Sequence, residues 1–137
     1  MNAPRRKEWI RTALLVGVVY FLIGKIFTLL TGHVHAWRLA AWLVSGIAYA
    51  MHIGYEHFRL RNPPRLAAFH VAVAVAIGAF GLAVAGMIRS LSTASAIRPA
   101  WFLAIIMWPA FTAIPAFLVA FVAEAILSRR SRSADPE

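Results

Sequence analysis

The sequence predicts an all-α integral membrane protein: a four-helix bundle, antiparallel and up-down, with both termini in the cytoplasm. Three observations carry this expectation. The hydrophobic fraction is 61% and the charged fraction 14%, against roughly 45–50% and about 25% in ordinary soluble domains. A soluble chain of 137 residues cannot hide so much apolar surface, because small folds have large surfaces for their volume. The apolar residues are gathered into four runs, each long enough for the ~20 helical residues that a hydrocarbon core demands. The basic residues lie almost entirely between and beside those runs.

A basic segment, residues 1–8, leads into the first run, about 9–30. Lys25 interrupts that run about 8 Å short of its end by helical rise, close enough for its ammonium to snorkel to the interface. Val34-His35-Ala36 has small residues spaced as a signal peptidase requires, but the run is too long for a signal peptide and reads as a retained span. The second run covers about 36–55. The third, about 66–88, contains VAVAVA at 71–76. That alternation has the period of a strand, but its length and the need to satisfy every backbone group in lipid make it a helix. Asn62-Pro63-Pro64 before it is a helix stop. The fourth run, about 100–127, is the longest and holds Pro109 and Pro115. Each proline removes an intrahelical hydrogen bond, which makes the two positions hinge candidates. One four-span domain, 9–127, is thus followed by a polar tail, 128–137.

Orientation follows from charge. Arg5, Arg6, Lys7, Arg11, Arg59, Arg61, Arg65, Arg129, Arg130 and Arg132 fall on one side, and Arg38, Arg89 and Arg98 on the other. Positively charged loops stay cytoplasmic, so the first group marks the inner face of a bacterial-type inner membrane. Trp9 falls at the inner interface, and Trp37 and Trp101 at the outer one. The net charge of +9 then suits anionic lipid headgroups and calls for no nucleic acid.

Helices in lipid associate through small residues and polar bonds. Gly46, Ala50 and Gly54 on the second span predict a smooth stripe for a close neighbour. Gly78, Gly81 and Ala85 do so on the third span, and Gly17 and Gly24 with Tyr20 on the first. With four short spans there is little room inside one chain, so a homo-oligomer or a membrane-protein partner is expected.

The second span also carries a polar stripe. Arg38, Trp42, Ser45, Tyr49, His52 and Glu56 recur at helical spacing and share a face, which should face the bundle centre, a partner protomer or water and not lipid tails. By helical rise, His70 and Glu124 each lie about 7 Å inside their spans, at the depth of His52 and Glu56. Glu124 is the acid placed deep within a span. An ionised carboxylate there costs about 2.5–3.5 kcal/mol at the helix centre, so it needs a partner; His52, His70 and Arg11 are the candidates. His57 reads as solvated beside Arg59. His33 and His35 form a weak H-x-H pair.

These residues support three readings. The cluster can be a hydrogen-bonded pair that fixes helix register, as in an accessory or scaffold subunit. It can titrate near neutral pH and relay protons or gate an ion path, with Ser45, Tyr49, His52, Glu56, His70 and Glu124 along the way. Or His52 and His70 can hold a divalent metal or a haem; the sequence itself calls for no cofactor. Without cysteine, disulfides and thiolate sites are excluded. No phosphate loop, nucleophile elbow or zinc-protease motif is present, so a non-enzymatic transporter or channel is the leading expectation.

Overall fold

In the computed structural model the chain is all-helical, and the structure describes residues 3–29, 34–93 and 100–133. Four long helices follow in order: α1 (Ala3–Leu29), α2 (Val34–Tyr55), α3 (Pro64–Thr93) and α4 (Ala100–Ser133). A π-helical turn, Glu56–Leu60, continues α2. His33, Arg98, most of the first and last connections and the end of the tail lie outside the described residues. So do the side chains of residues 3–7 and 131–133.

The valine–alanine run is helical, as its length required: α3 is 30 residues long. It begins where the chain can begin a helix. Arg61 takes a left-handed conformation, φ 50°, which ends the π turn. Pro64 then occupies the first helical position, where its missing N–H is no loss. The Pro63 carbonyl accepts from the Leu66 and Ala67 amides at 2.9 and 3.0 Å and so closes the first turn. At the other extreme, α4 runs through both of its prolines without a break. Beside them the Thr112 hydroxyl donates to the carbonyls of Trp108 and Pro109, each at 3.0 Å.

Three helical segments are long and apolar enough to cross a membrane: Glu8–Leu29, Pro64–Thr93 and Ala100–Arg130. α2 has the length, 22 residues, but is not among these three. The outside of the bundle is apolar. Leu43, Met51, Phe58, Leu103, Ile106 and Phe111 are all largely exposed, an exterior that suits lipid.

α3 is the central helix and packs against α1 on one side and α4 on the other. Its buried face is built of small residues, among them Ala67, Ala68, Ala74, Gly78 and Ala83, so backbones come close. A Cβ added at Gly78 would stand 2.6 Å from the Tyr20 Cβ and 3.1 Å from the Gly17 carbonyl oxygen. One added at Gly17 would stand 2.8 Å from the Ile77 Cβ and 3.1 Å from the Ala74 oxygen. The glycines expected to seat α1 on α3 do so.

The stripe expected on α2 does not. A Cβ at Gly46 or Gly54 would meet nothing within 4 Å, and Ala50 is exposed. α2 is held by its C-terminal half instead. Ile53 joins a small core with Ala68, Val71 and Ala120, flanked by Tyr49, Phe117 and Leu127, and the Tyr49 hydroxyl donates to the Ala116 carbonyl. Tyrosine and isoleucine reach further than glycine, so they, and not the small stripe, make the contact. In the N-terminal half Trp37 meets Phe27 of α1, with ring centroids 6.3 Å apart, and Trp42 of the polar stripe is 78% exposed.

Gly78→Ala is therefore expected to destabilise the bundle by about 1–3 kcal/mol through overpacking. Gly46→Ala should be neutral or stabilising by up to about 1 kcal/mol. Thermal unfolding in a non-ionic detergent checks both.

A buried histidine and carboxylate cluster as candidate functional site

At one end of the bundle the start of α1, the end of α2, the start of α3 and the end of α4 bring their polar residues together. His52 and Glu56 are one turn apart on the same face of α2. The π turn begins at Glu56. Widening of the turn lets consecutive residues serve different helices: Glu56 faces α3, and His57 reaches α4. Turns of this kind are rare and recur at functional sites.

Glu56 is the hub. Its carboxylate is fully buried. The Asn62 amide donates to Oε2 at 2.8 Å. His70 Nδ1 lies 3.2 Å from Oε1 and 3.1 Å from Oε2. His52 Nε2 lies 3.8 Å from Oε1, which is ion-pair range and too long for a hydrogen bond. Trp9 from α1 stacks flat on the His70 ring, with centroids 4.5 Å apart and planes 3° from parallel. The ring is thereby held edge-on to the carboxylate. With a proton on Nδ1 the imidazole donates to the Glu56 carboxyl, and Nε2 then points away from it.

Glu124, also fully buried, is bonded through Oε2 to His57 Nδ1 at 2.8 Å. This corrects the expectation for both residues. His57 is not solvated, and the partner of Glu124 is none of His52, His70 and Arg11. Arg11 is exposed on α1. An ideal α-helix carries His57 off the stripe; His57 follows His52 by five residues, the spacing that a π turn stacks. Asn62 was likewise legible only as a helix stop. The remaining candidates sit elsewhere. Tyr49 is bonded to Ala116, and Ser45 lies further up α2, half-buried.

Several polar atoms in and near the cluster are buried with no hydrogen-bond partner: both nitrogens of His52, Nε2 of His70, Oε1 of Glu124, Nε1 of Trp9 and the Tyr20 hydroxyl. Buried polar atoms are nearly always paired with protein or water, so these atoms, in the cluster and at Tyr20 further along α1, mark places suited to water, protons or an ion. Among the described residues no three histidine, aspartate or glutamate side chains stand together in an arrangement that holds a metal ion.

Cavities lie on both sides. One of about 430 Å³ is lined by Glu8, Arg59, Asn62 and His70 among others. Another, about 490 Å³, runs between α1, α2, α3 and α4 past Tyr20, Ser45, Tyr49 and Thr112. Tyr49 is one turn from His52, so the second cavity ends where the cluster begins.

No known protein family matches the chain, and neither a curated protein nor a solved structure is detectably similar to it. Fold and site define a class by themselves: a small helical bundle, largely apolar outside, with a buried histidine–carboxylate cluster at one end.

The His57–Glu124 bond is expected to couple in a double-mutant cycle. His57→Ala should destabilise by about 1–3 kcal/mol by leaving a buried carboxylate unpaired, and in the Glu124→Gln background most of that cost should vanish. Arg11→Ala should show no such coupling. Thermal unfolding of the four variants measures it.

Proposed function

We propose that this chain is a small four-span transporter or channel of a bacterial-type inner membrane. In this reading its helices run antiparallel, up and down, and both termini are cytoplasmic. The histidine–carboxylate cluster, at the cytoplasmic side, is the element that exchanges protons. The observation that carries this reading is the set of buried, unpartnered polar atoms on His52, His70, Glu124 and Tyr20, lying between cavities that approach the cluster from two directions. A cluster serving only as glue would leave few such atoms, because each unpaired one costs about 1–3 kcal/mol.

The chemistry of a proton path follows. Imidazole accepts a proton on one nitrogen and gives one up from the other. His70 stands between the cavity of about 430 Å³, which it lines, and Glu56, which it touches. Glu56 is within reach of His52, and Tyr49 and Ser45 continue along the next cavity. No covalent step is needed, and the protein acts without being an enzyme. A fourth span is consistent with α2, whose polar face has the bundle to turn to and whose Leu43, Ile47 and Met51 point outward.

A scaffold subunit is the second reading, favoured by the bonds from His57 and Tyr49 that tie α2 to α4. The unpartnered nitrogens of His52 and His70 favour a third, a haem or divalent metal.

Proteoliposomes with a pH-sensitive dye inside separate these readings. Wild type is expected to pass protons under an imposed potential. Glu56→Gln and His70→Phe should each slow the flux by about tenfold or more, the scale on which a positioned proton-transfer group acts. Absence of flux in the wild type would overturn the transport reading. A Soret band or stoichiometric metal in the purified protein would move the site to the third.

A further inference from the structure

We propose that the cavity at the opposite end of the bundle is a binding site for an organic anion: an acidic head carried on an apolar or aromatic body. The cavity has a volume of about 1000 Å³, at the upper end of the roughly 300–1,000 Å³ of small-molecule sites. All four helices line it. Lys25 comes from the end of α1, Arg38 from the start of α2 and Arg89 from the end of α3. No acidic residue lines it, and among the described residues no carboxylate pairs with any of the three. Three like charges around one cavity repel each other, and an anion among them removes that cost.

The walls are as selective as the charges. Trp37, Trp42, Trp101 and Trp108 line the cavity, four of the five tryptophans in the chain. Indole rings offer flat apolar surface for a ligand body, and guanidinium groups match carboxylate, phosphate or sulfonate heads with paired N–H donors. Simple snorkelling of helix-end cations explains each residue singly, but not the grouping. Among the described residues the lysine and arginines at this end are Lys25, Arg38 and Arg89. These three surround one space with the tryptophans. That space adjoins the cavity that runs past Tyr20 and Tyr49, since Gly24, Ala41, Trp42, Leu82 and Trp108 line both. The head can belong to a soluble organic acid or to an acidic lipid; the recognising chemistry is the same.

Binding here is independent of proton passage, and tryptophan fluorescence reads it without a flux. The purified full chain in non-ionic detergent is titrated with naphthoate, and with naphthamide as the neutral counterpart. A saturable change in fluorescence is expected. Naphthamide should bind about five- to tenfold more weakly, and Arg38→Gln and Arg89→Gln should each weaken naphthoate by a similar factor. Both arginines are exposed, so the helices should persist by circular dichroism; added salt must also weaken naphthoate binding to the wild type. Repeating the titration in nanodiscs identifies the source. Weaker naphthoate binding in phosphatidylglycerol than in phosphatidylcholine assigns the site to an acidic lipid head, and equal binding assigns it to a soluble acid. The proposal is overturned if no saturable change occurs, if naphthamide binds as tightly as naphthoate, or if the arginine variants keep full affinity.

Discussion

The carboxylate of Glu56 is fully buried, and it sits where α2 gives way to the π turn. It draws His70 from α3, His52 from its own helix and Asn62 from the connection between them. Each of these contacts answers the same constraint: a buried carboxylate without donors or a proton costs several kcal/mol. The wider turn that starts at Glu56 also delivers His57 to Glu124 on α4. Two neighbouring residues of one turn thus reach two helices, Glu56 to His70 and His57 to Glu124, and the lower end of α2 is fastened to both α3 and α4.

The upper end of α2 has no comparable fastening. α1, α3 and α4 close on one another through glycine and alanine, where backbones touch. α2 has glycines too, yet they meet nothing. The contrast comes from geometry. Close packing in lipid needs small residues on both partners at the same level, and opposite the upper half of α2 stand Trp101, Trp108 and Leu82. These residues and α2 line the cavities together. One interaction at the cluster and one mismatch above it together produce a bundle that is tight at one end and hollow at the other. The acids follow the same division. Among the described residues Glu8, Glu56 and Glu124 all belong to the tight end, and the hollow end carries only cations.

Much of this was legible in the sequence. Run length and composition gave the helices, including α3 with its strand-like VAVAVA, because length decides where periodicity is ambiguous. Helical spacing put His52 with Glu56, and helical rise put His70 and Glu124 at their depth. Two things were not legible. The partner of Glu124 depends on a π turn, which no α-helical wheel anticipates, so His57 passed for a loop residue and Asn62 for punctuation. The rotation of α2 depends on what its neighbours present, so spacing alone does not reveal that the Gly46 face meets no neighbour or that Trp42 stands exposed. The tryptophan-lined cavity escaped for a related reason. Its cations come from three helices, and only their packing brings them around one space.

The account rests on the pairing of specific imidazoles with specific carboxylates, and solid-state NMR on histidine- and glutamate-labelled protein in lipid reads that pairing directly. Through-space transfer is predicted from the His57 and His70 ring nitrogens to the side-chain carboxyl carbons of Glu124 and Glu56, with each signal lost when its own histidine is replaced. Ring nitrogens that show no glutamate transfer and exchange freely with bulk water would contradict it.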